Sequence, residues 1–542
     1  MTPAKPQLFQ YKQLTQLVLC VAFLLYGLWS VPLAWFEHDW NMIPGDWGDV
    51  RFNNYLLEHG YRCLRGLEDS FWDAPFMYPF ANVIAFSDNL LGTMPFYAAF
   101  RFAGLDRETS LQCWILVLFI LNYLSAYWVL QRWFGNLALS IAGAWVFAFG
   151  IILTGHVNHL QVFPRFMVPL VMYGTWQFFK NGKVQMFALL SIGLLYQFYC
   201  AVYLGFILFF CQLCLLFAYK IVFGRPDGFR KLRPLFFWGA LSVILMLPLM
   251  LPYMEISAIT GMRTFESLQS TIPRPVSYFF SHPAATTWKG ILSDHSQFAF
   301  DDWWFHFQFT GALPWLGLLA CVVFLFRYKK EVFAKEATAL LLALIFSLAF
   351  TTQFGNFSLY HLIHAIPGFS SMRSIDRFMV VIVFSFVLVM VAGFVQVFSQ
   401  IKYGKYLVFL IPLAVVVDNR IEPWELKRIY KQEARDERNA VKEVLENNYD
   451  GHSKAVAYMV TNVNMDLPSY HDKLIRDHLS IMTAAQDLGI KVVNAYSGHY
   501  PPGYMDFFDY RDEATLHAWL QANQINDADV QRIYAPVGTI NQ

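Results

Sequence analysis

Asp46 and Asp49 stand three residues apart soon after the first apolar run of the chain, in the stretch Asn41-Met-Ile-Pro44-Gly45-Asp46-Trp-Gly-Asp49-Val-Arg51. On a helical turn the two would share one face. Two carboxylates just above a membrane surface could bind a divalent cation, or one of them could deprotonate a hydroxyl as general base. The same pair could also cap a juxtamembrane helix at the Pro-Gly turn. Asp46 directly follows Pro44-Gly45 and has the more obvious capping position, which ranks Asp49 ahead as a base.

Three further clusters carry polar chemistry. Asp88, in Ser87-Asp88-Asn89, borders a broken apolar stretch, where it could be an N-cap or a functional carboxylate. His156, Asn158 and His159 lie in Gly155-His156-Val-Asn158-His159-Leu-Gln161, a spacing suited to metal ligands or hydroxyl-binding groups, although an interfacial His is often merely solvated. Arg373 and Arg377 bracket Asp376 just after Pro367-Gly368. Arginine at a membrane surface suits a phosphate, because its planar fork makes bidentate, charge-assisted hydrogen bonds; the alternative is an Arg snorkelling to the headgroups. Arg165, Arg263 and Arg274 are the next candidates for the same anion.

The elements that must position these groups are apolar helices. Of 542 residues, 56% are hydrophobic, 18% aromatic and only 15% charged, against roughly 25% charged in a soluble protein. A net charge of +1 gives no reason to expect a nucleic-acid partner. All but one of the seven cysteines fall in apolar runs, the exception being Cys63, which argues against a disulfide framework. The run 17–36 follows a short basic segment and lacks a small-x-small cleavage site, so it reads as an uncleaved signal anchor with its N-terminus inside.

Further apolar runs lie near 111–130, 134–154, 161–178, 184–200, 202–223, 234–254, 308–326, 337–352, 377–398 and 405–417. With about eleven spans, the positive-inside rule places Arg132, Lys180, Lys183, Arg225, Arg230, Lys231, Arg233, Arg327, Lys329, Lys330, Lys335, Lys402 and Lys405 in the cytoplasm. That holds only if 90–103, interrupted by Gly92 and Pro95, does not cross; it reads as interfacial or re-entrant. The expected fold is thus a polytopic α-helical membrane protein. Residues 1–417 form its transmembrane module with large outer loops 37–110 and 255–307, and 418–542 form a small extracytoplasmic α/β domain. In that tail 424–447 and 470–488 read as helices, 455–460 and 490–496 as strands.

With these segments in order, the chain resembles the GT-C superfamily of membrane glycosyltransferases, and within it the bacterial YfhO-like branch. The resemblance is carried by Gly45-Asp46 and Asp49, by Tyr78-Pro79-Phe-Ala-Asn82 leading to Ser87-Asp88, and by Gly155-His156-Val-Asn158-His159-Leu-Gln161. Tyr199-Cys-Ala-Val-Tyr203 follows, then Pro367-Gly368-Phe with Met372-Arg373 and Arg377-Phe378, and finally Asn494-Ala-Tyr496-Ser497-Gly498 with Pro501. It implies a catalytic Asp in the first outer loop, a polyprenyl-phosphate-linked sugar as donor and an inverting single displacement, at the outer face of a bacterial inner membrane. The acceptor it implies is of a broad class, a cell-envelope glycan, lipid or protein, since the family's acceptors vary widely. Some superfamily members use a divalent metal such as Mg or Mn, held by acidic or His residues of the first two outer loops; this chain offers His156, Asn158 and His159 where relatives often carry carboxylates.

Three other classes compete. A transporter or flippase of lipid-linked sugars would place ionisable groups near the bilayer midplane, whereas here charge collects at the ends of the runs. A lipid-glycan polymerase or ligase shares the interfacial site. A non-enzymatic envelope scaffold would tolerate alanine at Asp46 and Asp49.

Overall fold

The computed structural model describes residues 5–224, 232–294, 296, 302–327, 332–460 and 470–534. Arg225, Arg230, Lys231, Lys329 and Lys330, assigned above to cytoplasmic loops, lie outside the described residues. Among the described residues seven helices are long and apolar enough to cross a membrane: Leu14–Trp35, Arg107–Phe134, Leu137–His156, Val202–Phe223, Arg233–Thr260, Phe333–Phe350 and Asp376–Gln400. Val184–Cys200 and Ala312–Arg327 are shorter apolar helices. The run expected from 161 opens on a single 3-10 turn, Leu160–Val162, breaks at Pro164, which has no backbone N–H to continue it, and is α-helical only from Met167 to Asn181. The run 405–417 is broken into Gly404–Leu407 and Leu410–Asp418. At 1.5 Å per residue neither piece spans a ~30 Å hydrocarbon core. Residues 90–103 form only the helix Met94–Phe102, also too short to cross.

Two of the seven long helices, Leu137–His156 and Asp376–Gln400, are almost wholly buried, whereas almost none of Arg233–Thr260 is. A helix that is apolar all round belongs in the middle of a bundle or against lipid; these two fill the middle, with Ala312–Arg327 packed along Met379–Gln400. The close approach there is possible because Gly317 and Gly393 lack side chains: a Cβ on Gly393 would sit 2.1 Å from the Gly317 carbonyl oxygen.

One end of the bundle is marked by Glu336, which accepts from Trp133 Nε1 at 3.0 Å and Tyr219 Oη at 3.2 Å, with Lys180 Nζ 4.0 Å away. Arg132, Lys180 and Lys335 therefore share that end. The opposite end carries Arg107 and Tyr203, the loop 37–110 and the tail.

The tail is not a free-standing appendage. Arg428–Tyr430 pairs antiparallel with Met42–Pro44, Ile429 opposite Ile43. The charged helix Lys431–Asn448 lies across the helices Asp49–Leu64 and Arg107–Phe134, joined by Arg51–Glu437 at 3.3 Å, Arg435–Glu108 at 3.2 Å and the Arg438–Glu108 pair. Half-buried ion pairs of this kind set register more than they add net stability. Ala455–Met459 pairs in parallel with Val530–Tyr534, and the helix Tyr470–Leu488 packs beside them. The expected strand at 490–496 is reduced to a single bridge, Val492 to Val456. Phe52, Tyr55, Phe76 and Ile84 of the first outer loop share one apolar cluster with Tyr458, Leu479, Val493 and Trp519 of the tail. Loop and tail bury their surface together.

Candidate functional site

The strand Met42–Pro44 ends at Gly45, whose φ of +107° lies in the region that glycine alone enters freely. A Cβ there would also meet Val50 Cγ2 at 2.1 Å. This turn delivers the chain to the helix Asp49–Leu64. Asp46 Oδ1 accepts the backbone N–H groups of Gly48 and Asp49, each at 3.1 Å, and so caps the entry to the helix. Asp46 thus precedes the helix rather than sharing a face within it. Burial, with the Asp49 charge beside it, pushes the Asp46 carboxyl up to about 6.

Asp49, the first residue of the helix, is held from both sides. Its Oδ2 lies 2.6 Å from His159 Nδ1, and its Oδ1 accepts the Tyr496 hydroxyl at 2.7 Å. Burial alone would raise its carboxyl. The hydrogen bonds from His159 and Tyr496, with the charge of Arg377, outweigh that and hold it well below the usual carboxylate range. His159 moves the same way: burial and the Arg377 charge lower it more than Asp49 raises it. An ionised Asp49 can only accept, so the proton between the two groups sits on His159 Nδ1.

Asp49 opens onto a cavity of roughly 600 Å³ that also exposes Asp88, Gln161, Tyr203, Arg373, Arg377 and His499. Met250, Met254 and Phe206 line its apolar side. Asp88 accepts the backbone N–H of Tyr203 at 3.3 Å and does not cap the helix Met94–Phe102, which begins after Thr93 without a side-chain cap. Burial raises the Asp88 carboxyl to about 6, against the hydrogen bonds from Tyr203 and Val202 and the charge of Arg377. Arg373 is exposed in the cavity wall. Arg377 is buried, its guanidinium 5.2 Å from the centre of the Tyr203 ring. Arg263 Nη2 lies 3.4 Å from the His499 ring, and burial with the Arg263 and Arg373 charges lowers His499 to about 4. A neutral His499 leaves the arginines to set the sign of this side of the cavity. Gly368, at φ +91°, turns the wall where any side chain would strike Phe206.

The other expected residues go elsewhere. Arg165 is fully buried, its fork donating to the carbonyls of Val380 at 2.9 Å and Phe147 at 2.8 Å. It ties two bundle segments together and is absent from the cavity lining. His156, Asn158 and His159 do not converge. His156 is buried beside Asp376, with Nδ1 3.7 Å from Oδ2, while His159 faces Asp49. Among the described residues no three His, Cys, Asp or Glu side chains gather to hold a metal ion. The donor set does not fit one either: each Asp49 oxygen already accepts a hydrogen bond, and Arg377 stands beside them.

Tyr203, Gln161 and Tyr496 stood in the sequence only as letters of the resemblance, without roles, and His499 had no signal at all. Tyr496 is the informative omission, since 447 residues separate it from the carboxylate it binds. Tyr496→Phe is expected to destabilise the protein by about 1.5–3 kcal/mol near neutral pH, the range for a hydrogen bond to a charged group. Asp49's folded pKa is depressed, so this contribution is present above the unfolded value near 4 and fades as pH falls through the folded one. Urea unfolding of both forms at pH 7 and in strong acid reads the difference; a deficit independent of pH would detach the hydroxyl from the carboxylate.

The sequence matches no family model and no curated protein. The chain is similar to several solved structures, two of which are described here. One is the arabinofuranosyltransferase AftD from Mycobacteria, with 12% identity and a TM-score of 0.48, covering 82% of this chain and 29% of that one. The other is the archaeal oligosaccharyltransferase AglB from Archaeoglobus fulgidus, in complex with an inhibitory peptide and a dolichol-phosphate. It has 12% identity and a TM-score of 0.49, covering 95% of this chain and 69% of that one. Both likenesses lie below a TM-score of 0.5, and this chain spans under a third of AftD's length.

Proposed function

We propose that this chain is an inverting glycosyltransferase of the GT-C type that moves a sugar from a polyprenyl-phosphate donor to an acceptor hydroxyl at the outer face of the membrane. The observation that carries the reading is one cavity shared by a fixed, ionised carboxylate, Asp49, and an arginine pair, Arg373 and Arg377, at one end of a bundle of apolar helices. The donor's phosphate would lie on the arginines, as a planar fork suits it. Its prenyl chain would lie along Phe206, Met250 and Met254 toward the lipid-facing helix Arg233–Thr260. The acceptor hydroxyl would approach from the Asp49 side and attack the anomeric carbon opposite the leaving phosphate, which gives inversion.

The direct test is transfer by the purified protein in nanodiscs from a panel of undecaprenyl-phosphate-linked hexoses and pentoses, followed by release of undecaprenyl phosphate. Release that requires Asp49 supports the reading. A folded protein that releases none from any member of the panel retires it.

The reading also places 37–110 and the tail outside the cytoplasm, with the Glu336 end inside, in line with the shared end of Arg132, Lys180 and Lys335. A cysteine at exposed His452 should react with an impermeant maleimide in intact cells. One at Lys180 should react only after permeabilisation. The reverse pattern would invert the topology and remove the site from the outer face.

A further inference from the structure

The first long helix, Leu14–Trp35, carries an exposed apolar stripe, Leu14, Val18, Val21, Leu25 and Trp29, with its members three or four residues apart. The helix Leu410–Asp418 carries a second, Leu410, Leu413 and Val417, with the same spacing. Stripes of this kind on a membrane bundle face lipid. Both helices pack on Leu137–His156, and residues of all three line a cavity of roughly 660 Å³. It shares no lining residue with the cavity that holds Asp49. Its apolar wall includes Trp145, which is buried, and Tyr26, stacked on it with ring centres 5.7 Å apart.

The polar part of the lining comes from residues that follow the ends of the first helix and of Leu410–Asp418: Glu37 and His38 after one, Arg420 and Arg428 after the other. It therefore stands where a bilayer's headgroups begin. Exposed Trp29 and Trp424 mark the same level, as interfacial aromatics do. Arg428 is paired with Glu37 at 3.0 Å. Glu422 and Glu425 are turned to Lys289 and do not line the cavity. Arg420 is exposed, and among the described residues its side chain makes no hydrogen bond or ion pair. The lining is thus left with one unpaired positive charge beside an apolar, aromatic wall. A lipid with an anionic headgroup presents the complement, a negative charge above an acyl chain.

We propose that this cavity binds an anionic glycerophospholipid of the bilayer, its phosphate on Arg420 and an acyl chain lying between the two apolar stripes against Tyr26 and Trp145. The bound lipid braces the joint between the first helix and the tail. Arg428 belongs to the strand that pairs with Met42–Pro44, and that strand ends two residues before Asp46. The site needs no sugar donor or acceptor, so it stands or falls apart from the glycosyl-transfer reading.

The experiment titrates delipidated full-length protein in detergent with dioleoylphosphatidylglycerol or dioleoylphosphatidylcholine, which share acyl chains and differ in headgroup charge. Native mass spectrometry resolves the bound states. The first phosphatidylglycerol should bind about fivefold more tightly than the first phosphatidylcholine, the preference that one arginine gives near a lipid headgroup, and added salt should shrink the difference. Arg420→Gln should bring phosphatidylglycerol to the level of phosphatidylcholine, and Arg420→Lys should keep most of the preference because it keeps the charge. Trp29→Ala should weaken both lipids alike, since it removes wall and not charge. Arg373→Ala, in the other cavity, should leave the preference in place. Phosphatidylglycerol should also raise the melting temperature of the wild type more than that of Arg420→Gln, since a ligand bound only to the folded state stabilises it. Equal affinity of the wild type for the two lipids, a preference that survives Arg420→Gln, or one that disappears with Arg373→Ala would each overturn the proposal.

Discussion

Asp49→Asn is expected to slow sugar transfer by about 10²- to 10⁴-fold, the usual cost of losing acid–base function, with Asp46→Asn close to the wild-type rate. The two aspartates are near neighbours and chemically identical, and the structure separates their work. Asp46 accepts two backbone N–H groups before the helix, so its replacement costs roughly 0.5–2 kcal/mol of stability, as cap losses do. Asparagine keeps one acceptor oxygen there, which puts Asp46→Asn at the low end. Asp49 instead binds one imidazole and one phenol hydroxyl, each from a distant part of the chain. The amide introduced by Asp49→Asn presents an N–H to one of these donors and breaks that contact. It also removes the negative charge that a general base needs, so the rate falls. Initial rates and melting temperatures, measured on both variants, give the answer. A folded Asp49→Asn protein with wild-type turnover would end the catalytic assignment.

Arg377→Ala and Arg373→Ala should each weaken donor use by about tenfold to more than a hundredfold, since a charge-assisted pair at a partly dry site contributes roughly 1.5–3 kcal/mol. Arg377 should show the larger loss. It is the buried member, its Nε has no hydrogen-bond partner among the described residues, and its guanidinium faces the Tyr203 ring. A buried donor without a partner is costly, and a bound phosphate would relieve that cost. Arg373, exposed in the cavity wall, binds in a more screened setting. Lysine should rescue only part of either loss, because an ammonium cannot form the fork. The loss should fall on donor KM at fixed acceptor. Unchanged donor KM in both alanine variants would move the phosphate elsewhere, with Arg263 the nearest remaining arginine through its contact with His499.

Much of this molecule was legible in its sequence for simple reasons. Long apolar runs and scarce charge dictate membrane helices, because an unpaired backbone in hydrocarbon is too costly. Basic residues mark one end of the bundle, and the Glu336 cluster brings Arg132, Lys180 and Lys335 to that end. The Pro-Gly turn before Asp46 announced a cap and thereby favoured Asp49. Local pattern also marked the tail helix at 470–488 and the strand at 455–460, and a helix at 424–447 that in fact begins only at Lys431, because Arg428–Tyr430 is drawn into a strand pair with Met42–Pro44. About eleven apolar runs stand against seven helices long and apolar enough to cross among the described residues, since composition does not register where Pro164 or the break near Val408 interrupts a helix.

Tertiary structure decided what spacing cannot express. Arg165 and Arg377 look alike in the sequence, each following a proline-containing outer turn. One donates to two backbone carbonyls inside the bundle and the other reaches the cavity. The difference is set by which carbonyls lie within reach, a property of packed neighbours. The pairing of Met42–Pro44 with Arg428–Tyr430, and the apolar surface that the first outer loop and the tail bury together, join segments nearly 400 residues apart. That joint burial carries Tyr496 to Asp49. The sequence determined that a carboxylate would follow soon after the first apolar run; only the folded chain determined that it would be held between His159 and Tyr496 and kept well below the usual carboxylate range, because a carboxylate's charge state depends on its hydrogen-bond partners and its burial rather than on its neighbours in the chain.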